Sequence, residues 1–302
     1  MVSRNDGSFG IVVRPPGQGN SPGESTMHLS GLFLYPVKSF RGCAVADATI
    51  DTLGLVGDRR FMVVDENGRF LTQRTLPRMA LVATALSDAD LTLSADGSGQ
   101  VTVSRASDPA APPRLVSVWK SEGLQAEDCG DPAAAWLGAF LGVKCRLVRA
   151  GAAFHRPVRK LPPSVALDTP PVVSFADACP LLVISNASLA HLNERLVACG
   201  ENALPMDRFR PNLVVAGCAA HAEDAWPRFR IGGIVFRTAG PCARCVVTTT
   251  NQITAERGRE PLRTLATYRR DATDPPKLNF GQNLIHETPR GELRIGDAVE
   301  LL

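Results

Sequence analysis

The chain has 302 residues, 44% hydrophobic and 21% charged, a size and balance that suit a globular protein of two domains. Its 33 Lys and Arg against 30 Asp and Glu leave a formal charge of +3, too even for nucleic acid to be the main partner, although a local basic site for a phosphorylated ligand stays open. No apolar run is long enough to span a bilayer. Eight cysteines without an export signal point to a reduced, cytoplasmic setting, in which thiols and metal ligands outrank disulfides.

Residues 1–27 are rich in Gly, Pro and Ser, lack the apolar core of a signal peptide, and are expected to form a disordered tail. From His28 the pattern is strand, turn, strand. Residues 29–37 read as a first strand, and 59–74 as a hairpin turning at Asn67-Gly68. Residues 80–93 and 101–118 look like further strands. Asp131 is placed to cap a helix that stops at Gly142, and 144–150 return as a strand. A first, β-rich unit over 28–150 follows. Residues 155–174 hold five prolines and no helical period, and so read as a linker or a surface excursion. In a second unit, 151–302, a buried strand over 179–185 precedes a helix capped by Asn186 and closed by Gly200. Strands are then expected over 212–218, 229–239, 245–251 and 295–302. The fold class predicted is mainly β with inserted helices (α+β), two β-barrels or curled sheets in tandem.

The segment Gly240-Pro241-Cys242-Ala243-Arg244-Cys245 carries the sharpest chemistry, and the residues leave several readings open. A redox dithiol normally opens a helix, whereas Val246–Thr250 read as a strand. A zinc site could pair Cys242 and Cys245 with Cys218 and His221. A single thiolate for a softer metal centre would be favoured by the neighbouring Arg244. Two thiols on a buried strand would need no chemistry at all. A second segment, Asp207-Arg208-Phe209-Arg210-Pro211-Asn212, sets arginine forks suited to phosphate beside an amide suited to a heterocycle edge. Lys38-Ser39 and Asp58-Arg59-Arg60 add donors after strands of the first unit.

Taken together these segments resemble a known family. Tyr35-Pro36-Val37-Lys38-Ser39 and Gly57-Asp58-Arg59-Arg60-Phe61 are similar to the N-terminal β-barrel domain that precedes a MOSC domain. Phe209-Arg210-Pro211-Asn212, Cys242-Ala243-Arg244-Cys245-Val246-Val247-Thr248-Thr249 and Phe280-Gly281-Gln282-Asn283 resemble the MOSC domain itself, which is named from the C-terminal domain of molybdenum cofactor sulfurase. The resemblance runs from about residue 28 to Leu302 and is strongest to the amidoxime-reducing components, mitochondrial and bacterial. It implies a molybdenum cofactor (Mo-molybdopterin) with Cys245 as the metal's thiolate ligand. It implies that Lys38, Ser39, Arg59, Arg210, Asn212, Arg244 and Asn283 hold the pterin and its phosphate. Asp177 matches an acidic residue near the metal and is expected to donate protons. Ala243 and Asn283 depart from residues common among relatives, Ser or Thr and Tyr respectively. The reaction implied is reduction of N-hydroxylated compounds such as amidoximes, hydroxylamines or N-hydroxylated bases. Electrons are expected from a separate carrier or reductase, because no cysteine follows Cys245. The alternative expectation is a sulfur carrier working through a Cys245 persulfide.

Overall fold

The computed structural model describes residues 26–159, 161 and 170–302; of the tail expected over 1–27, all but Thr26 and Met27 lies outside the described residues. The fold is mainly β with inserted helices. Among the described residues the α-helices are α1 (Asp131–Leu141), α2 (Asn186–Ala198) and α3 (Leu262–Leu265).

The largest sheet has eight strands. In spatial order they are Val299–Leu301, Arg228–Ile231, Ile234–Ala243, Asn279–His286, Leu181–Ser185, Leu213–Ala216, His28–Leu34 and Cys43–Ala44. Leu181–Ser185 and Leu213–Ala216 are its parallel pair, and α2 makes the crossover that such a pair requires. A four-stranded antiparallel sheet, Phe61–Val64, Arg146–Arg149, Ser121–Asp128 and Pro113–Val118, belongs to the first unit, where α1 packs Leu137, Phe140 and Leu141 into a core with Phe61 and Leu147. Two three-stranded sheets complete the described strands.

The two units interlock. His28–Leu34 was expected to open the first unit, yet it is hydrogen-bonded to Leu213–Ala216 of the second. Gly291–Arg294, near the C-terminus, pairs with Asp47–Asp51. The reason is burial: Leu29, Leu32 and Leu34 lie in one core with Leu213, Val215, Phe229, Phe236 and Leu284. A sheet ending at Leu213–Ala216 would leave that apolar face and an unpaired edge in water.

Several local expectations change in detail. The Asn67-Gly68 turn forms, with Gly68 at φ 74°, and a Cβ there would sit 2.2 Å from the Leu115 carbonyl oxygen. Its second arm forms no strand and keeps isolated bridges, Phe70 to Val64 and Arg69 to Ser117. The strand expected over 80–93 is interrupted: a 3-10 turn (Pro77–Leu81) leads into Ala83–Leu86 and Asp90–Ser94. Gly130 rather than Asp131 occupies the N-cap of α1. Ser185 caps α2 in place of Asn186, its side chain accepting from the Ser188 amide. The two described ends of the proline-rich segment pair with each other, Val158 N donating to Pro171 O (2.8 Å) and Val173 N to Arg156 O (2.9 Å).

The largest correction concerns 245–251, which is not a strand. Cys245 precedes a 3-10 turn, Val246–Thr249. The Thr248 hydroxyl donates to Cys245 O (2.9 Å) and that of Thr249 to Val246 O (2.8 Å). Such local bonds compete with a ladder, and here they outweigh the β-propensity of Val-Val-Thr-Thr-Thr.

Candidate functional site

A cleft of about 600 Å³ opens where the two units meet. All nine residues named from the sequence line it: Lys38, Ser39, Arg59, Asp177, Arg210, Asn212, Arg244, Cys245 and Asn283. Its charged lining is mostly cationic, Lys38, Arg59, Arg74, Arg210, Arg244 and Lys277 against Asp177 and Asp271, which suits an anion.

Backbone geometry concentrates here. Ser39, Arg59 and Arg210 all take left-handed backbone conformations, at φ 68°, 46° and 56°. Non-glycine residues pay strain for such angles, and they gather where the surrounding structure must aim side chains. Arg59 donates to Asp58 (2.6 Å), to Asn212 Oδ1 (2.9 Å) and to Arg210 O (3.2 Å). Arg210 donates to Phe40 O (2.6 Å). Both guanidinium groups lie 4.3 Å from the Tyr35 ring centroid, so one buried aromatic positions two cations. Burial and the neighbouring Arg59 pull Arg210 down to about 10, and it still carries its charge at neutral pH. Asn212 is buried, with Nδ2 donating to Phe33 O (3.1 Å). Asn283 Nδ2 donates to Pro241 O (3.1 Å), tying its strand to the irregular end of Ile234–Ala243, whose pairing register shifts at Pro241.

The two cysteines of the pair have different surroundings. Cys242 Sγ accepts from Arg244 Nη1 (2.9 Å) and packs with the apolar cluster around Phe209 and Phe280. Cys245 Sγ accepts from Arg74 Nη2 (3.2 Å). Both thiols are free. Arg244 also donates to Phe209 O (2.5 Å), while its buried Nε has no partner among the described residues. The zinc reading lacks its other ligands. Cys218 packs against the core of the large sheet, His221 pairs with His191 (3.0 Å), and no three His, Cys, Asp or Glu gather to hold a metal among the described residues.

Asp177 is the acceptor at the centre of the cleft. Lys38 Nζ bonds to its carboxylate and donates to Phe175 O (2.9 Å). Arg74 Nη2 lies 3.4 Å from Oδ2, and Trp119 Nε1 donates to Oδ1 (3.2 Å). The Asp177 side chain is about half-exposed, and the partial desolvation it does suffer would raise its pKa. Lys38 and Arg74, with the bonds from Lys38 and Trp119, overcome this and hold it well below the ordinary carboxylate range. Burial lowers Lys38 to about 8 although Asp177 works against the shift. An ionised carboxylate accepts protons rather than supplying them, so the proton available in this pair sits on Lys38.

Sequence reasoning missed Arg74 and Trp119. Arg74 ends the run expected as the hairpin's second arm, and the burial of its neighbours Thr72 and Gln73 appears only in the fold, so nothing local marked it. Trp119 lies in a turn between strands, and nothing local in the sequence ties it to Asp177.

Residues 26–144 match the family model of the MOSC N-terminal beta barrel domain, and residues 170–300 match that of the MOSC domain. The chain is 36% identical over 284 residues to mitochondrial amidoxime-reducing component 1 of Mus musculus, covering 90% of this chain and 81% of that protein. To the Homo sapiens protein of the same name it is 34% identical over 289 residues (90% and 82%). It is 32% identical over 279 residues to molybdenum cofactor sulfurase of Danio rerio, covering 88% of this chain and 33% of that protein. The mitochondrial names lend the cytoplasmic expectation no support; no helix among the described residues is long and apolar enough to cross a membrane.

Proposed function

The chain belongs to the MOSC family, an N-terminal MOSC β-barrel domain followed by a MOSC domain, and from that premise we propose that it reduces N-hydroxylated compounds with a molybdenum cofactor bound through the Cys245 thiolate. The observation that carries this reading is the convergence of donors from both units on one cleft with a cysteine sulfur in its wall. The donor set suits a phosphorylated pterin: arginine forks from Arg59, Arg210 and Arg244 for phosphate oxygens, and amide groups of Asn212 and Asn283 for a heterocycle edge. The partnerless buried Arg244 Nε is an orphan donor of the kind an anionic ligand satisfies. Cys245, whose side-chain partner among the described residues is a guanidinium, suits a soft metal that takes a single protein sulfur.

When bound, the cofactor supplies the two-electron chemistry that takes the oxygen from an N–OH group. Reduction of N–OH to N–H consumes two electrons and two protons and releases water. The chain's part is to hold and deliver charge. Lys38 Nζ holds a proton at the cleft, and its low pKa makes that proton easier to give. Asp177 keeps the ammonium aimed, and its negative charge favours return of a proton to Lys38 Nζ after transfer. Arg74 donates to both Cys245 and Asp177, linking the thiolate to the proton pair. Electrons come from a separate carrier.

The test is to purify the chain from a host that makes the cofactor and to measure molybdenum, pterin and reduction of benzamidoxime by a chemically reduced dye. Wild type and Cys242→Ser should carry metal and turn over. Cys245→Ser should fall to background while keeping part of its pterin through the phosphate donors. Equal metal loss in both variants would overturn the single-thiolate assignment. Wild type carrying labile sulfane sulfur and no molybdenum would instead establish the Cys245 persulfide carrier.

A further inference from the structure

The loop at residues 119–120 breaks a local rule. Pro113–Val118 and Ser121–Asp128 form a hairpin in which Val118 pairs with Ser121, leaving Trp119-Lys120 as a two-residue loop. Trp119 sits at φ 55°, a position that such loops give to Gly, Asn or Asp. A bulky aromatic there is a conformational outlier, and turn propensity does not explain it. Its side chain is 46% exposed, although half-exposed tryptophan forgoes much of its burial energy.

What the strained turn achieves is the placement of the indole at the rim of the cleft, outside its lining but against two of the lining residues, Asp177 and Arg74. Nε1 donates to Asp177 Oδ1 (3.2 Å). The Arg74 guanidinium lies 4.4 Å from the ring centroid, and Phe70 meets the indole at 4.9 Å and 66°. The indole is therefore braced by a cation and an aromatic edge and still presents open surface. Beside it, Asp177 Oδ2 receives only the long bond from Arg74 (3.4 Å) and keeps acceptor capacity. A rigid aromatic surface next to a carboxylate oxygen fits a flat, conjugated group bearing N–H donors.

We infer that Trp119 is the specificity-determining residue of the site: its indole stacks flat, conjugated N-hydroxylated substrates, whose N–H groups meet Asp177 Oδ2. This rests on the reductase reading, but it also predicts ligand binding without turnover.

The test compares benzamidoxime, which is flat and aromatic, with acetamidoxime, which has the same functional group and no ring. Trp119→Phe keeps a ring and loses the N–H. Trp119→Gly loses both, and its backbone adopts φ 55° without strain, so the fold is retained. The readout is the ratio of kcat/KM for benzamidoxime over acetamidoxime, because loss of the bond to Asp177 affects both substrates and cancels. In Trp119→Gly the ratio should fall about two- to tenfold, the scale of one aromatic pair, and in Trp119→Phe it should stay near wild type. An unchanged ratio in Trp119→Gly, or an equal fall in both variants, would overturn the inference. If the wild-type protein reduces neither compound, the reductase reading fails on its own. Calorimetric binding of benzamidoxime to the full chain then decides. Weaker binding by Trp119→Gly alone supports stacking; equal binding by all three proteins, or none by wild type, overturns it.

Discussion

At the scale of single residues, Lys38 and Asp177 shift each other's titration in opposite senses. Burial lowers Lys38 to about 8, and the Asp177 carboxylate only partly restores it. If the Nζ proton is used in turnover, kcat/KM should decline as pH rises through about 8. Lys38→Arg keeps the charge at every working pH, so its profile should lose that alkaline limb; a limb that persists in Lys38→Arg would assign the titration to another group. Stability follows the same shifts. From about 8 up to the ordinary lysine value the unfolded chain binds more protons at Lys38, so that group's contribution to stability rises with pH across this window. Asp177, held low, contributes stability that is present above the ordinary carboxylate value and is lost in acid below it. Eight of the nine site residues named from the sequence stood in a short motif, Asp177 came from the resemblance alone, and all nine line the cleft. Arg74 and Trp119 carry no motif; their partners Cys245 and Asp177 are 171 and 58 residues away in the chain, and only folding brings them together.

At the scale of elements, close backbone approach decides what the pattern of apolar residues leaves open. Gly281 lies in Asn279–His286 at φ 79°, and a Cβ there would meet the Val183 carbonyl oxygen at 2.7 Å and Ile184 Cγ1 at 2.6 Å. Gly281→Ala should therefore cost at least about 1 kcal/mol, read as a lower urea midpoint at unchanged slope, because it combines backbone strain with a steric clash. It should also loosen the cleft wall that carries Asn279 and Asn283. The helices α1 and α2 were legible within a residue at their starts, because Asp131 and Asn186, read as caps from local capping preference, stand one residue after the positions that cap the helices. The turn after Cys245 was not, since the choice between ladder and local bonding depends on whether a partner strand lies alongside.

At the scale of the whole molecule, the large sheet takes strands from both ends of the chain. A protein of 151–302 alone would lack His28–Leu34 and leave Leu213–Ala216 as an open apolar edge. It should fail to unfold cooperatively by circular dichroism and should aggregate, whereas a chain beginning at residue 26 should melt in a single transition. A soluble, cooperatively melting 151–302 fragment would contradict the interlocked architecture. Strand-rich composition, turn residues and the cysteine and arginine motifs were properties of the sequence by itself, because periodicity, capping and side-chain chemistry act over a few residues. Which unit the first strand joins, the turn after Cys245, and the meeting of Arg74 and Trp119 with Asp177 were decided by tertiary structure. Those outcomes depend on burying apolar faces and pairing charges between segments far apart in the chain, and no local pattern encodes such distances.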